Sequence, residues 1–392
     1  MQAVAAEFAR NFTERGEIGA SVSVWRHGQE ILALHEGSRT HEEIATWNAD
    51  TVVPVWSATK GPASLALLLL LHDAGLSLDT SVRRIWPELR ADITFGQMLS
   101  HQSGLAALDS RVSVFDHAAV AAALAAQEPQ WNPGMAHGYH PRTFGFLVEE
   151  CARRLTGGPG IGHVLRERIT GPLDADFWIG LPHSEHHRVA RLYPGKVRKT
   201  RDAREDAFFE AMSDPASLTR RAFTSPAGLH AVSDMNQPAA WTAALPAFGG
   251  VGSARGLGKI YALLASGGVW QGRELVPPAV LAQLSMPLVN GPDCVLRIPT
   301  SFAAGCMMDP RHSDGTKERT HFGPSLKAFG HPGAGGSHAF ADPEHGIAFA
   351  YVMNQMEHGV MPNEKALSLV DAVYGSIRSE EPADRGTQPG TA

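Results

Sequence analysis

Ser57-Ala58-Thr59-Lys60 is the only S-x-x-K tetrad in the chain. It stands where a loop stretch, residues 51–56, gives way to an apolar run that reads as a helix. A hydroxyl at the first turn of a helix meets unpaired N–H groups and the positive end of the dipole, both of which favour a developing alkoxide. Three residues on, Lys60 shares the same helix face and can reach that hydroxyl. Taken out of water, its amine loses its proton and becomes a base. Taken alone, the tetrad also reads as a helix cap followed by a solvated lysine.

Two further segments supply what acyl transfer would need. Trp131-Asn132-Pro133-Gly134 leads to Tyr139-His140-Pro141, a turn-rich stretch that sets a tyrosine on a loop before the next helical run. A phenol beside a lysine can shuttle protons, because an ammonium favours the phenolate; the other reading is a tyrosine packed under its loop. Gly330-His331-Pro332-Gly333-Ala334-Gly335-Gly336 precedes a strand, and so many glycines let a ligand approach an edge backbone closely. The N–H of Ala334 could pair with that of Ser57 as an oxyanion hole, or the segment is a plain glycine-rich turn. Trp56 and Trp131 flank these residues and either line an acyl pocket or pack ordinarily. No G-x-S-x-G is present, so a nucleophile elbow has no support. His183, His186 and His187 lie in a polar stretch without matching ligand spacing elsewhere, so we expect a solvated loop and no metal site.

The elements that must hold these residues can be read from periodicity. Residues 4–14 form an amphipathic pattern, and Ala20–Trp25 with Ile31–Leu34 reads as a hairpin. The stretch from Ser57 to about Ala74 is so continuously apolar that its helix must be covered on most sides. Helical runs follow at His117–Gln127 and Phe144–Leu155, and residues 183–221, polar and poorly periodic, suggest a long irregular excursion. A helix at Leu257–Leu264, strands at Ser337–Ala341 and Ile347–Met353 and a helix over Glu364–Ile377 close the pattern. The fold class expected is α+β: an antiparallel sheet assembled from both termini, flanked by helices, with a mainly helical region inserted. The boundaries expected are 1–80 plus 250–378 for the discontinuous α/β part, 81–249 for the helical part with long loops, and 379–392 for a disordered tail.

Bulk composition excludes several classes. With 392 residues, 43% hydrophobic and 19% charged, the chain can bury a large core. The net charge of −6 and the absence of a dense basic run argue against nucleic acid. No apolar stretch, Leu65 to Leu71 included, comes near the about 20 residues that cross a bilayer, so no membrane partner is expected. The N-terminal residues lack a secretory pattern, so a cytoplasmic location is the default. Cys151, Cys294 and Cys306 are odd in number and widely spaced, which favours buried free thiols. Oligomeric state is not readable.

Several motifs in order carry a resemblance. Val55-Trp56-Ser57-Ala58-Thr59-Lys60-Gly61, Leu99-Ser100-His101-Gln102-Ser103-Gly104-Leu105, Pro133-Gly134 before Tyr139, the run from Gly250 to Leu257, and His331-Pro332-Gly333 together resemble the serine β-lactamase and penicillin-binding-protein superfamily, and within it the family VIII carboxylesterases. The resemblance runs from about residue 18 to residue 355. It implies a β-lactamase/transpeptidase-like fold, no cofactor, and an acyl-enzyme on Ser57 with Lys60 and Tyr139 sharing the acid and base roles, the first base being open. His331, Gly333, Trp56 and Trp131 would border the substrate. Two departures point to an ester over a lactam. Pro141 stands where those enzymes carry an asparagine amide, and His331 stands where they carry a lysine, giving a weaker fixed charge for a lactam carboxylate. The implied activity is hydrolysis of small, short-acyl esters, with lactam hydrolysis, acyl transfer or a non-catalytic binding role as the alternatives.

Overall fold

Residues 19–26 mix small, β-branched and aromatic side chains, and residues 29–37 alternate in exposure, as a central strand and an edge strand do. In a computed structural model, which describes residues 1–41, 45–196, 199–200 and 202–380, they form β1 (Gly19–Arg26) and β2 (Gln29–Gly37). His27 and Gly28, at φ 49° and 75°, make the tight turn between them. The later strands are β3 (Val289–Pro292), β4 (Pro299–Phe302), β5 (Met307–Met308), β6 (Phe329–Pro332), β7 (His338–Asp342) and β8 (Ile347–Met353). They join the hairpin in one antiparallel sheet of order β2-β1-β8-β7-β6-β5-β4-β3. The register of β1 on β8 runs from Ala20 opposite Met353 to Arg26 opposite Ile347, so the two ends of the chain build its centre.

Helices cover both faces. They are α1 (Gln2–Thr13), α2 (Lys60–Asp73), α3 (His117–Ala126), α4 (Thr143–Thr156), α5 (Ala203–Ser213), α6 (Leu218–Thr224), α7 (Ala254–Ala265) and α8 (Glu364–Glu380), with shorter helical turns between. On one face Tyr351 of β8 donates to Glu17 and lies beside Asn11 of α1, whose amide donates to the Lys365 carbonyl of α8. On the other face α7 comes close enough that a Cβ on Gly258 would lie 2.7 Å from the Trp25 indole nitrogen. Side chains alternate along β1, so Val22 faces the first layer and Trp25 the second, and β1 is buried on both sides.

Helix α2 is the spine, as its apolar run requires. Leu65, Leu67, Leu68 and Leu69 are all fully buried, each contributing about 1.5–3 kcal/mol. The helical reading of residues 57–74 divides at its start, because Ser57–Thr59 is a 3₁₀ turn and the α-helix begins at Lys60. That turn is pinned from the side by a small sheet in which Gly250–Gly252 pairs with both Val53–Pro54 and Phe177–Ile179.

Residues 183–221 differ from the irregular excursion expected of them. They contain a 3₁₀ turn at His183–Arg188, helix α5 and most of α6. The periodicity is faint because α5 buries only Phe208; capping of Arg204 and Glu205 N–H by Asp202, and of Arg220 N–H by Ser217, compensates. Helix α8 continues to Glu380, two residues into the expected tail, and the rest of that tail, residues 381–392, lies outside the described residues.

Candidate active site

Ser57 sits on a turn whose backbone is forced. Trp56 before it has φ 51° and ψ −132°, a region that a bulky residue enters only when its surroundings hold it there. Those surroundings are visible: Val55 N–H donates to Gly250 O at 2.9 Å, the Thr59 hydroxyl donates to Trp56 O, and Gly250 N–H donates to Thr59 Oγ1 at 2.9 Å. A side chain on Gly250 would collide with Thr59, so the glycine is what lets the small sheet clasp the turn.

Lys60 is fully buried, and its Nζ lies 3.4 Å from Ser57 Oγ, 3.0 Å from Pro141 O and 2.9 Å from Ala247 O. No carboxylate accompanies it among the described residues, and burial holds its pKa well below the ordinary 10.5. A neutral amine has two N–H groups and one lone pair. With the two carbonyls taking its N–H groups, the neutral form would meet the serine hydroxyl with its lone pair, whereas the charged form donates to all three oxygens.

Tyr139 presents its ring to the same point, with Lys60 Nζ 4.6 Å from the ring centroid. Its backbone N–H donates to both oxygens of the buried Asp293 at 3.0 Å, and its ring stacks on Phe302 at a centroid distance of 6.1 Å. The hydroxyl is buried and satisfies no complete hydrogen bond, although Ser57 is near enough to moderate its acidity. Burial pushes the phenol above its ordinary value. The phenolate that a neighbouring ammonium would favour is therefore disfavoured by desolvation.

The glycine-rich segment arrives from the opposite side. A Cβ on Gly333 would lie 2.1 Å from Val55 O, so β6 ends against the strand that leads into Ser57. Neither Ser57 N–H nor Ala334 N–H donates to another described residue, and both residues line one cavity. His331 is buried, and its Nδ1–H donates to Pro332 O at 2.7 Å, leaving Nε2 bare. Burial and the nearby Lys60 push its pKa down to about 3, so it is neutral at pH 7.

The cavity has a volume of about 520 Å³ and mostly apolar walls. Trp56, Ser57, Tyr139, His331 and Ala334 border it; Trp131 does not, its ring standing edge-on to His140 at 5.8 Å and against Gly138. Of the two readings of Trp131, packing is the one realised. The far wall was not legible in the sequence: Met212, Phe223, Leu229, Met356 and Met361 come from loops and short helices without a motif. Asp293 was missed for the same reason, since Pro292-Asp293-Cys294 carries no chemical signature. His183, His186 and His187 lie on the 3₁₀ turn with His186 against Trp241, and they are not gathered as a ligand set. No helix among the described residues is long and apolar enough to cross a membrane.

An antiparallel sheet built from both termini, a buried central helix, and a serine and lysine at its start facing a loop tyrosine define the β-lactamase/transpeptidase-like class of serine hydrolase. The family model described as Beta-lactamase matches residues 6–373, and the chain belongs to that family. It is 29% identical to "Esterase/beta-lactamase LipL" of Mycobacterium tuberculosis over 98% of this chain and 88% of that protein. Among solved structures it resembles a penicillin-binding protein homolog from Caulobacter crescentus, at 33% identity and a TM-score of 0.83, covering 96% of this chain and 97% of that one. A family VIII carboxylesterase structure is similar at 31% identity and a TM-score of 0.83, covering 95% and 96%.

Proposed function

We propose that the protein is a carboxylesterase that hydrolyses small esters with short acyl groups through an acyl-enzyme on Ser57. The observation that carries this reading is the environment of Lys60: a fully buried amine with no carboxylate bonded to it among the described residues, 3.4 Å from Ser57 Oγ, with its pKa lowered by burial, is suited to take the serine proton. Ser57 Oγ attacks the ester carbonyl carbon while its proton passes to Lys60 Nζ. The oxyanion that forms accepts from Ser57 N–H and Ala334 N–H. As the carbon–oxygen bond to the alcohol breaks, Tyr139 gives its proton to the leaving oxygen and is resupplied by Lys60. Water then attacks the acyl carbon, Lys60 again taking the proton, and the carboxylic acid leaves with Ser57 restored.

An ester is favoured over a lactam because the cavity lacks the side-chain amide that would hold an acyl-amide group. At that place Pro141 offers a ring to the cavity while its carbonyl is spent on Lys60. His331, neutral and tied to its neighbour's carbonyl, supplies no cation beside the scissile bond. The similar family VIII carboxylesterase structure supports the esterase reading, while LipL is named both esterase and β-lactamase.

The test is a panel of p-nitrophenyl esters and a cephalosporin, with Ser57→Ala as the control and a fluorophosphonate probe followed by mass spectrometry. We expect kcat/KM for the best ester to exceed that for the cephalosporin, with one label on the Ser57 peptide. Activity of Ser57→Ala above about one hundredth of wild type would remove the nucleophile from the scheme. A cephalosporin turned over faster than every ester would reverse the substrate order.

A further inference from the structure

The active-site cavity has a one-sided charge. Two guanidinium groups, Arg142 and Arg220, line it, and no carboxylate does. Arg142 is buried over the Phe248 ring, 4.7 Å from its centroid, and donates to the carbonyls of Gly228 and Leu229. Arg220, on α6, donates from its guanidinium to Met212 O at 3.5 Å, the one bond that group makes to a described residue. Nothing along these walls would repel an anionic substrate.

Past Leu296, Val360 and Met361, which border both spaces, lies a second hollow of about 230 Å³. Arg319 lines it, and its Nε and Nη2 are buried without a hydrogen-bond partner. Asp309 and Glu318 lie near enough to support its charge electrostatically, but neither bonds it. Asp309 pairs with Lys317 at 2.9 Å, Glu318 pairs with Arg204, and Asp202, which also lines the hollow, caps the N–H groups of α5. Glu205 lines the hollow too and has a partner of its own. A buried guanidinium without a bonded counter-charge is costly, and the cost is recovered when a ligand brings the anion. The planar fork of donors on arginine matches a carboxylate.

We infer that Arg319 is the anchor of a second subsite, and that the preferred substrates are esters with one short arm at Ser57 and one longer arm ending in a carboxylate. This rests on the esterase reading of the Ser57 site and adds the class of substrate to it. The apolar walls between the two spaces suit a methylene spacer, and the cationic lining of the first admits the charged end on its way through.

The test uses acetyl esters of ω-hydroxy carboxylic acids of increasing chain length, each paired with its neutral primary amide, and the mirror series of dicarboxylate hemiesters. In the wild type we expect kcat/KM for the acid to exceed that for the amide by at least about tenfold at one optimal length, the scale of a hydrogen bond to a charged group. Arg319→Met, which replaces the guanidinium with an apolar chain, should bring that ratio near one, and Arg319→Lys should keep part of it. Calorimetric binding of the same acid and amide to Ser57→Ala protein gives a readout that needs no turnover. A preference for the acid there, abolished by adding Arg319→Met, upholds the subsite even if no ester is hydrolysed, in which case the esterase reading alone fails. An acid bound no better than its amide at every length, or a preference untouched by Arg319→Met, overturns the subsite.

Discussion

Gly333 and the carbonyl of Val55 meet so closely that a Cβ on Gly333 would stand 2.1 Å from the oxygen. This contact sets the distance between the two N–H groups assigned to the oxyanion. Gly333→Ala should push β6 away from the Ser57 turn and lower kcat by about 10²–10³, the loss seen when one oxyanion donor is removed. KM should change much less. Steady-state kinetics beside a circular-dichroism melt checks this, and unaltered kcat in a folded variant would show that the contact is not part of the site.

Lys60 predicts opposite effects on activity and stability. In the unfolded chain it is protonated up to about its ordinary 10.5, whereas in the folded protein it is neutral well below that. Across that window the unfolded state binds the extra proton, so stability rises with pH and is lost as pH falls. Lys60→Met removes this penalty. Its Tm at pH 7 should exceed that of wild type, the gain vanishing as pH approaches 10.5, while kcat/KM falls by about 10³ or more. The wild-type kcat/KM should show one acidic limb, from Lys60, and no limb below pH 10 from Tyr139, whose phenol burial holds protonated.

The buried imidazoles predict acid lability. Burial lowers His140 and His331 to about 3 and His338 to about 4, from an ordinary 6.5. These groups are neutral when folded and charged when unfolded between those limits, so stability falls as pH drops below 6.5. Each adds up to about 1.4 kcal/mol per pH unit. Chemical denaturation at pH 7, 6 and 5 should show a steepening loss, and a midpoint independent of pH over this range would contradict the assignment.

Asp293 positions Tyr139 without touching the reacting atoms. It accepts from the N–H groups of Tyr139, Val295 and Leu296 and from the Thr300 hydroxyl. Asp293→Asn turns a donor toward these donors and should cost about 1–3 kcal/mol of stability. It should also lower kcat more than it changes KM. In a Tyr139→Phe background its effect on kcat should shrink, because the displaced hydroxyl is already gone; a full, additive loss would mark a purely structural role.

What could be read from the sequence depended on whether the signal was local. Ser57 and Lys60 were legible because i and i+3 share a helix face, and β1, β2 and β8 because short apolar or alternating runs are bounded by turn residues close by. That the two ends share one antiparallel sheet was legible from the strands read there, whereas the order of strands, and those between 289 and 308, were not. Asp293 was invisible because its role depends on Tyr139, 154 positions away. Helix α5 was hidden because a single buried side chain leaves no periodicity. The cavity wall from α6 and the loops beyond β8 was hidden because shape, and not residue type, makes it. Trp131 was ambiguous for want of an orientation.

The pairing of β1 with β8 also has a temporal meaning. A ribosome releases the first strand more than 300 residues before its partner, so throughout synthesis the hairpin carries an open edge. Ser57, Lys60 and Tyr139 are all present long before the sheet can close around them. The sheet beside them can close only once β8 has followed, so these side chains wait in an unfinished frame for most of the time the chain is being made.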